Sequence, residues 1–197
     1  MFSRLLTVSF LLVSVLTSCI IPDSNHRVPD FYLLSSKSND LNTSEIRSDL
    51  SFYINEVRLA HYLQDKRMVS RPNNEIIEFR EYNRWGEPLE IGICRVVGQN
   101  LSSSLNTYNY VVFPHRKKFG LQYEIDIKVD RFEKVSEQRV RCKAFWELSR
   151  KDGKTKSNLF DKELKIPSAG ERIEVRTLSS LIEHLSKEIE TAILSFD

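Results

Sequence analysis

Tyr123-Glu124-Ile125-Asp126-Ile127-Lys128-Val129-Asp130 and, a short interval later, Val140-Arg141-Cys142-Lys143-Ala144-Phe145-Trp146-Glu147-Leu148 decide the fold. In both stretches apolar side chains alternate with polar or charged ones, apart from Phe145 on the polar side. A strand points successive side chains to opposite faces, so each stretch has one buried and one wet face, the pattern of an antiparallel sheet. The outward charges are largely acidic on the first stretch and basic on the second, and across an antiparallel ladder they should attract. Asp152-Gly153 then supplies a hairpin turn, which makes 155–165 the returning strand.

Helices flank this core. Downstream, Leu178, Leu181, Ile182, Leu185, Ile189, Ala192, Ile193 and Phe196 form one apolar stripe, predicting an amphipathic helix over 178–196. Its polar face is mixed and mildly acidic, unlike the Lys- and Arg-rich face of membrane-surface helices, so packing on the sheet is expected. Upstream, Leu89, Ile93, Val96, Val97, Leu101 and Leu105 recur at three- and four-residue steps and predict a helix over 88–105, opened by Pro88. Gly92 and Gly98 interrupt it and suggest close approach to a neighbouring element. Shorter strands are expected at 31–34, 51–59, around Met68-Val69, around Ile76 to Phe79 beyond the turn Arg71-Pro72-Asn73-Asn74, and at 110–113, with a loop over 35–48. The expected fold class is α+β: a mostly antiparallel β-sheet with two main amphipathic helices packed on it.

The chain has 197 residues, 29 Lys and Arg against 27 Asp and Glu, and 41% apolar residues. This is enough apolar material for one domain with short appendages and excludes a wholly disordered chain. Balanced charge spread along the chain gives no footprint for a nucleic-acid backbone.

The N-terminus sets the compartment. Arg4 precedes an uncharged apolar run, 5–16. As a helix this run would span only about 18 Å, against roughly 30 Å of hydrocarbon, so it reads as an export signal and not a membrane span. Leu16-Thr17-Ser18-Cys19 follows directly and resembles a bacterial lipobox. Cys19 is then the lipid attachment site: its sulfur takes a diacylglyceryl group as a thioether, and cleavage before it frees an amine for an N-acyl chain such as palmitate. Two signals hold a protein on a membrane where a single acyl chain binds only marginally. Ile20 and Ile21 follow, with no Asp at the second mature position, which favours the outer membrane. The expected layout is a signal peptide over 1–18, a lipidated cysteine and tether over 19–30, and a single domain over 31–197.

Catalytic and cofactor motifs are missing. His26, His61, His115 and His184 are scattered without metal-ligand spacing. There is no dinucleotide-binding, Walker, nucleophile-elbow or zincin sequence. No metal and no cofactor is expected beyond the acyl chains on Cys19. Cys94 and Cys142 are either two buried thiols or, in an oxidising compartment, a disulfide, and spacing alone does not decide.

Three segments then carry a family resemblance: the lipobox followed by Phe31-Tyr32-Leu33-Leu34; Val57-Arg58-Leu59-Ala60-His61-Tyr62-Leu63 running to Met68-Val69-Ser70-Arg71; and Tyr82-Asn83-Arg84-Trp85-Gly86-Glu87-Pro88-Leu89 leading into the first helix. Together they resemble the ABC-type transport auxiliary lipoprotein family, the PqiC/YmbA-like lipoproteins, over almost the whole chain. That family often has Pro before the Tyr-Leu pair, where Ala60 stands nearest here. The resemblance implies a non-enzymatic envelope lipoprotein that docks an MCE-domain protein of an ABC-type lipid transport system, and leaves a homo-oligomer open. Arg84 and Trp85 have two readings. Trp85 buries its ring at the strand-to-helix junction while Arg84 pairs with a carboxylate, or both contact a partner, as Trp and Arg do at interface hot spots. Exposure discriminates between them. Two rival functions are a lipoprotein that carries a lipid in its own cavity, which requires about 300 Å³ or more of apolar space, and a cell-wall enzyme or its activator, which requires a cleft with convergent titratable groups.

Overall fold

A computed structural model describes residues 27–37, 46–117 and 120–196. In chain order these form β1 (Asp30–Tyr32), β2 (Phe52–Ile54), β3 (Arg58–Leu59), a single 3-10 turn (His61–Gln64), β4 (Arg67–Ser70), β5 (Glu78–Trp85), α1 (Leu89–Leu105), β6 (Tyr110–Val112), β7 (Tyr123–Ser136), β8 (Arg139–Arg150), β9 (Thr155–Lys165) and α2 (Glu171–Leu194). The architecture is α+β, as expected: one nine-stranded sheet and two helices.

The sheet is mixed, and the expectation of a mostly antiparallel one is corrected. Five of its eight strand pairings are parallel: β1 with β5, β2 with β6, and β7 with β2, β3 and β4. Only β4–β5, β7–β8 and β8–β9 are antiparallel, though the last two are the longest ladders. The cause is connectivity. Strands 123–165 follow one another through short turns and so run antiparallel. The strands before α1 reach β7 only by a long crossover, which brings them in parallel. Alternation reports one wet face and is silent on the direction of neighbours.

The expected charge pairing also differs. In the β7–β8 register Asp126 lies opposite Glu147 and Arg131 opposite Lys143, and only Glu133 opposite Arg141 sets an acid against a base. Asn55 relieves the acidic end by donating from Nδ2 to both Glu124 and Asp126 at 3.0 Å. The attraction sits one strand further out, where Arg141 makes a bidentate contact with Asp161 of β9, both bonds 2.8 Å.

Element boundaries moved where polar residues hid the pattern. The expected strand over 51–59 splits into β2 and β3, β5 starts at Glu78 and leaves Ile76 half exposed, and α2 starts at Glu171, seven residues before its main stripe. Gly170, at φ 123°, makes the turn into α2, a backbone conformation that favours glycine. At Ala60 the backbone (φ −55°, ψ 143°) would suit proline, yet its N–H donates to Val129 O at 2.9 Å, a bond proline could not make.

Both helices cover the same face of the sheet. Ile93, Val97 and Leu101 of α1, and Leu181, Leu185 and Ile189 of α2, are fully buried against Ile125, Val129 and Leu148 of the sheet core. Gly98 lets α1 approach β6: a Cβ there would stand 2.7 Å from Val112 Cγ1. A charged pair lies within this layer. Arg80 of β5 grips Glu174 of α2 through two bonds of 2.9 and 2.7 Å. Burial pushes the Glu174 carboxyl up from its ordinary range, and the guanidinium opposes that shift. Removing one partner of such a pair leaves a buried unpaired charge, so Arg80→Met is expected to lower stability by about 3–5 kcal/mol. The double change Arg80→Met/Glu174→Leu should recover most of the loss in urea titrations. A double variant no more stable than the single one would show that the pair is not the cause.

Candidate functional site

The segment Asn83 to Pro88 turns β5 into α1, and its backbone is held from three sides. Trp85 N–H donates to Lys66 O at 2.7 Å, Gly86 N–H to Tyr32 O at 2.8 Å, and Pro88 O accepts from the Ile91 and Gly92 amides at 3.0 Å. Pro88 precedes the first helical residue, where its missing N–H costs nothing. Glu87 folds back along the helix and accepts from Arg95 Nη2 at 2.6 Å, and the same nitrogen donates to Leu34 O at 2.8 Å. A Cβ on Gly92 would lie 3.1 Å from Glu87 Oε1, so glycine there makes room for this clasp. The junction thus ties the N-terminal segment 30–34 to the start of α1.

Strand alternation separates Arg84 from Trp85. Trp85 is 7% exposed and its ring meets Phe132 at a centroid distance of 6.2 Å, inside the core. By the exposure criterion its ring is off any partner surface. Arg84 lies on the opposite, open face, where Nη2 donates to Glu81 at 3.2 Å. Around it, Arg67 forms a two-bond pair with Asp65 at 3.0 and 2.8 Å and stacks over Phe79 at 4.6 Å, and Arg27 stacks over Tyr82 at 5.1 Å. The Arg67 side chain holds the Asp65 carboxyl at about 2, below the usual carboxylate range. On this face the described side chains pair Arg67 with Asp65 and Arg84 with Glu81, beside the rings of Phe79 and Tyr82.

The sequence reading missed a buried acid at the far end of β7. Glu133 has no exposed side-chain surface, and it accepts from Arg131 Nε at 2.6 Å, Tyr62 O–H at 2.8 Å and the Phe132 amide at 2.8 Å. Burial and this carboxylate push the Tyr62 hydroxyl up. Register shifts interrupt the β7–β8 ladder on either side of Glu133, between Val129 and Arg131 and between Lys134 and Ser136, a break in alternation that strict periodicity does not anticipate.

The remaining candidates are dispersed. Cys94 and Cys142 are buried free thiols, not a disulfide. Burial pushes Cys94 up to about 11 and raises Cys142 further still, the reverse of an activated thiolate. His61 bonds Gln64 at 2.8 Å, and burial lowers His184. Among the described residues no group of His, Cys, Asp or Glu is placed to hold a metal ion. Among the described residues, surface grooves of about 430, 540 and 260 Å³ lie between β9 and α2, beside the start of β7, and beside the start of α2. Lys162 and Glu188 are among the residues that line the first, and Lys117, Leu121, Tyr123 and Arg150 among those that line the second. No helix among the described residues is long and apolar enough to cross a membrane. Cys19 and His26 lie outside the described residues.

The described residues thus form a sheet with two helices on one face and a braced strand-to-helix junction. Residues 32–190 match the family model for the ABC-type transport auxiliary lipoprotein component, and the chain belongs to that family. A search of curated proteins finds no match. Among solved structures, an uncharacterized protein superposes with a TM-score of 0.71 at 20% identity, covering 85% of this chain and 99% of its own. A Xanthomonas campestris protein of the DUF330 family superposes with a TM-score of 0.65 at 14% identity, covering 82% and 92%. At these identities the likeness is one of fold. Family membership makes the chain an envelope lipoprotein associated with an ABC transporter.

Two outcomes follow from the side-chain placement. Trp85→Ala should lose about 3–5 kcal/mol in urea titrations, as buried large-to-small changes do, whereas Arg84→Ala should lose less than about 1 kcal/mol, as exposed ion pairs do. Equal losses would contradict the separation of the two side chains. Native protein should react with Ellman's reagent at neither Cys94 nor Cys142 until denatured, and prompt reaction of either would contradict their burial.

Proposed function

We propose that this protein is an outer-membrane lipoprotein that serves as a non-enzymatic docking component of an MCE-type ABC system for intermembrane lipid transport. The signal 1–18 is removed, Cys19 carries the diacylglyceryl and N-acyl chains, residues 19–30 tether the domain, and the folded body faces the periplasm and engages the MCE-domain protein. One observation carries the reading. A lipobox ending at Cys19 stands thirteen residues before the start of the transport-auxiliary match at residue 32. A subunit whose task is to be held in place and gripped needs an anchor and a rigid surface. The open face around Arg84, Arg67 and Glu81 offers a patterned set of charges for such a grip, since complementary charges set specificity and encounter rate.

A lipid carrier with its own chamber, or an activator of a cell-wall enzyme, is less well supported: Asp161, Lys162, His184, Lys187 and Glu188 line the groove between β9 and α2, but it is an open surface groove and burial lowers His184, the reverse of a base held charged. The test is made in cells. Cys19→Ala should leave the precursor unprocessed and unacylated by mass spectrometry and remove it from the outer-membrane fraction. Wild-type protein, crosslinked in intact cells and purified, should bring down an MCE-domain protein. An unmodified sulfur at position 19 in mature wild-type protein would defeat the anchor, and crosslinks that never include an MCE-domain protein would defeat the partner.

A further inference from the structure

The tether ends at the margin of the sheet. β1 pairs with β5 and, among the described residues, with no strand on its other side. In the parallel register Tyr32 lies opposite Trp85 and faces the core, so Phe31, opposite Arg84, faces outward with Tyr82 two residues away. Phe31 is 63% exposed, Leu33 57% and Val28 76%, an apolar group large for so short a stretch. Arg27 lies over the Tyr82 ring, and Arg84 and Arg67 stand beside it on the same face. Arg84 and Arg67 are paired with Glu81 and Asp65, which leaves aliphatic and aromatic side chains flanked by Arg27, a set that suits a bilayer interface, where apolar groups enter the acyl boundary and a cationic head stays among phosphates.

Chain length identifies the occupant. From Cys19 to Arg27 is eight peptide steps, a reach of at most about 29 Å. Once Cys19 is lipidated, Val28 and Phe31 cannot leave the vicinity of the membrane, and a short tether holds them there at an effective concentration on the order of millimolar. Even a weak surface affinity then becomes a stable contact.

We propose that the β1 margin, through Val28, Phe31 and Leu33 with Arg27, rests in the lipid interface and sets the orientation of the domain on its membrane. This rests on the anchoring of Cys19 argued above. With β1 against the lipid, β9 stands five strand spacings away, about 24 Å toward the aqueous side.

The test uses the full lipidated protein in vesicles of phosphatidylethanolamine and phosphatidylglycerol, with or without brominated acyl chains. Native Trp85 and Trp146 are buried and provide a common background. In Phe31→Trp, and independently in Leu33→Trp, the new indole should lie roughly 5–10 Å into the interface and be quenched by the brominated chains about twofold or more. Leu159→Trp, on exposed β9, should not be quenched. Flotation of the same samples reports the anchor separately. Protein that floats with no quenching at 31 or 33, or with equal quenching at 31 and 159, overturns the orientation while leaving the anchor intact. Protein that fails to float defeats the anchor and the orientation with it. An emission shift at position 31 that needs added MCE-domain protein, and not lipid, would reassign the patch to a protein partner.

Discussion

Strand β7 has to find a partner for the backbone along both of its edges, because unpaired amide and carbonyl groups in a buried sheet cost about as much as a lost hydrogen bond each. One edge is satisfied by β8 along nearly its whole length. The other edge is satisfied in relay, by β2 at its start, β3 in the middle and β4 at its end. The segment 52–70 therefore runs alongside β7 in short paired steps separated by turns. Everything outside these strands depends on them: β6 adds to β2, β5 adds to β4, and β1 adds to β5.

The buried charges sit where this relay would otherwise come apart. Glu133 joins the 3-10 turn to the irregular end of β7 through Tyr62, and Arg71, just after β4, lies 3.5 Å from the same carboxylate. Arg80 and Glu174 fasten the strand that carries the Arg84 face to the helix behind it. A buried pair is a poor source of net stability but a strong constraint on geometry, since a shifted strand would leave a charge without a partner. Both clusters thus fix the register of the surface above them.

Much of this was readable in the residues, and the failures have physical reasons. Alternation at 123–129 and 140–148 reports burial, so both strands and both helices were placed. Strand direction is set by the path between elements, which periodicity does not contain, and so the parallel pairings escaped. Two- and three-residue strands such as β3 and β2 have too few positions to show a period and are defined by β7. The first turns of α2 are polar, with Glu174 held inside by a residue 94 positions away. Arg84 and Trp85 could be picked out as a pair by their motif, but only alternation within β5 assigns one to each face. Glu133 was invisible because its burial depends on three partners remote in kind: a tyrosine in a turn, a neighbouring arginine and a backbone amide.

The relay also bears on how the chain comes to be folded after export. Segment 52–70 finds its partner about 70 residues later, and the loop that joins them must be closed before the pairing returns any energy. A polypeptide threaded head-first through a translocation channel presents β1 to β6 before β7 has emerged. Until then β2, β3 and β4 lack the strand they align on. Arrival of residues 123–165 supplies template and hairpin partners together, so assembly waits on the last third of the protein.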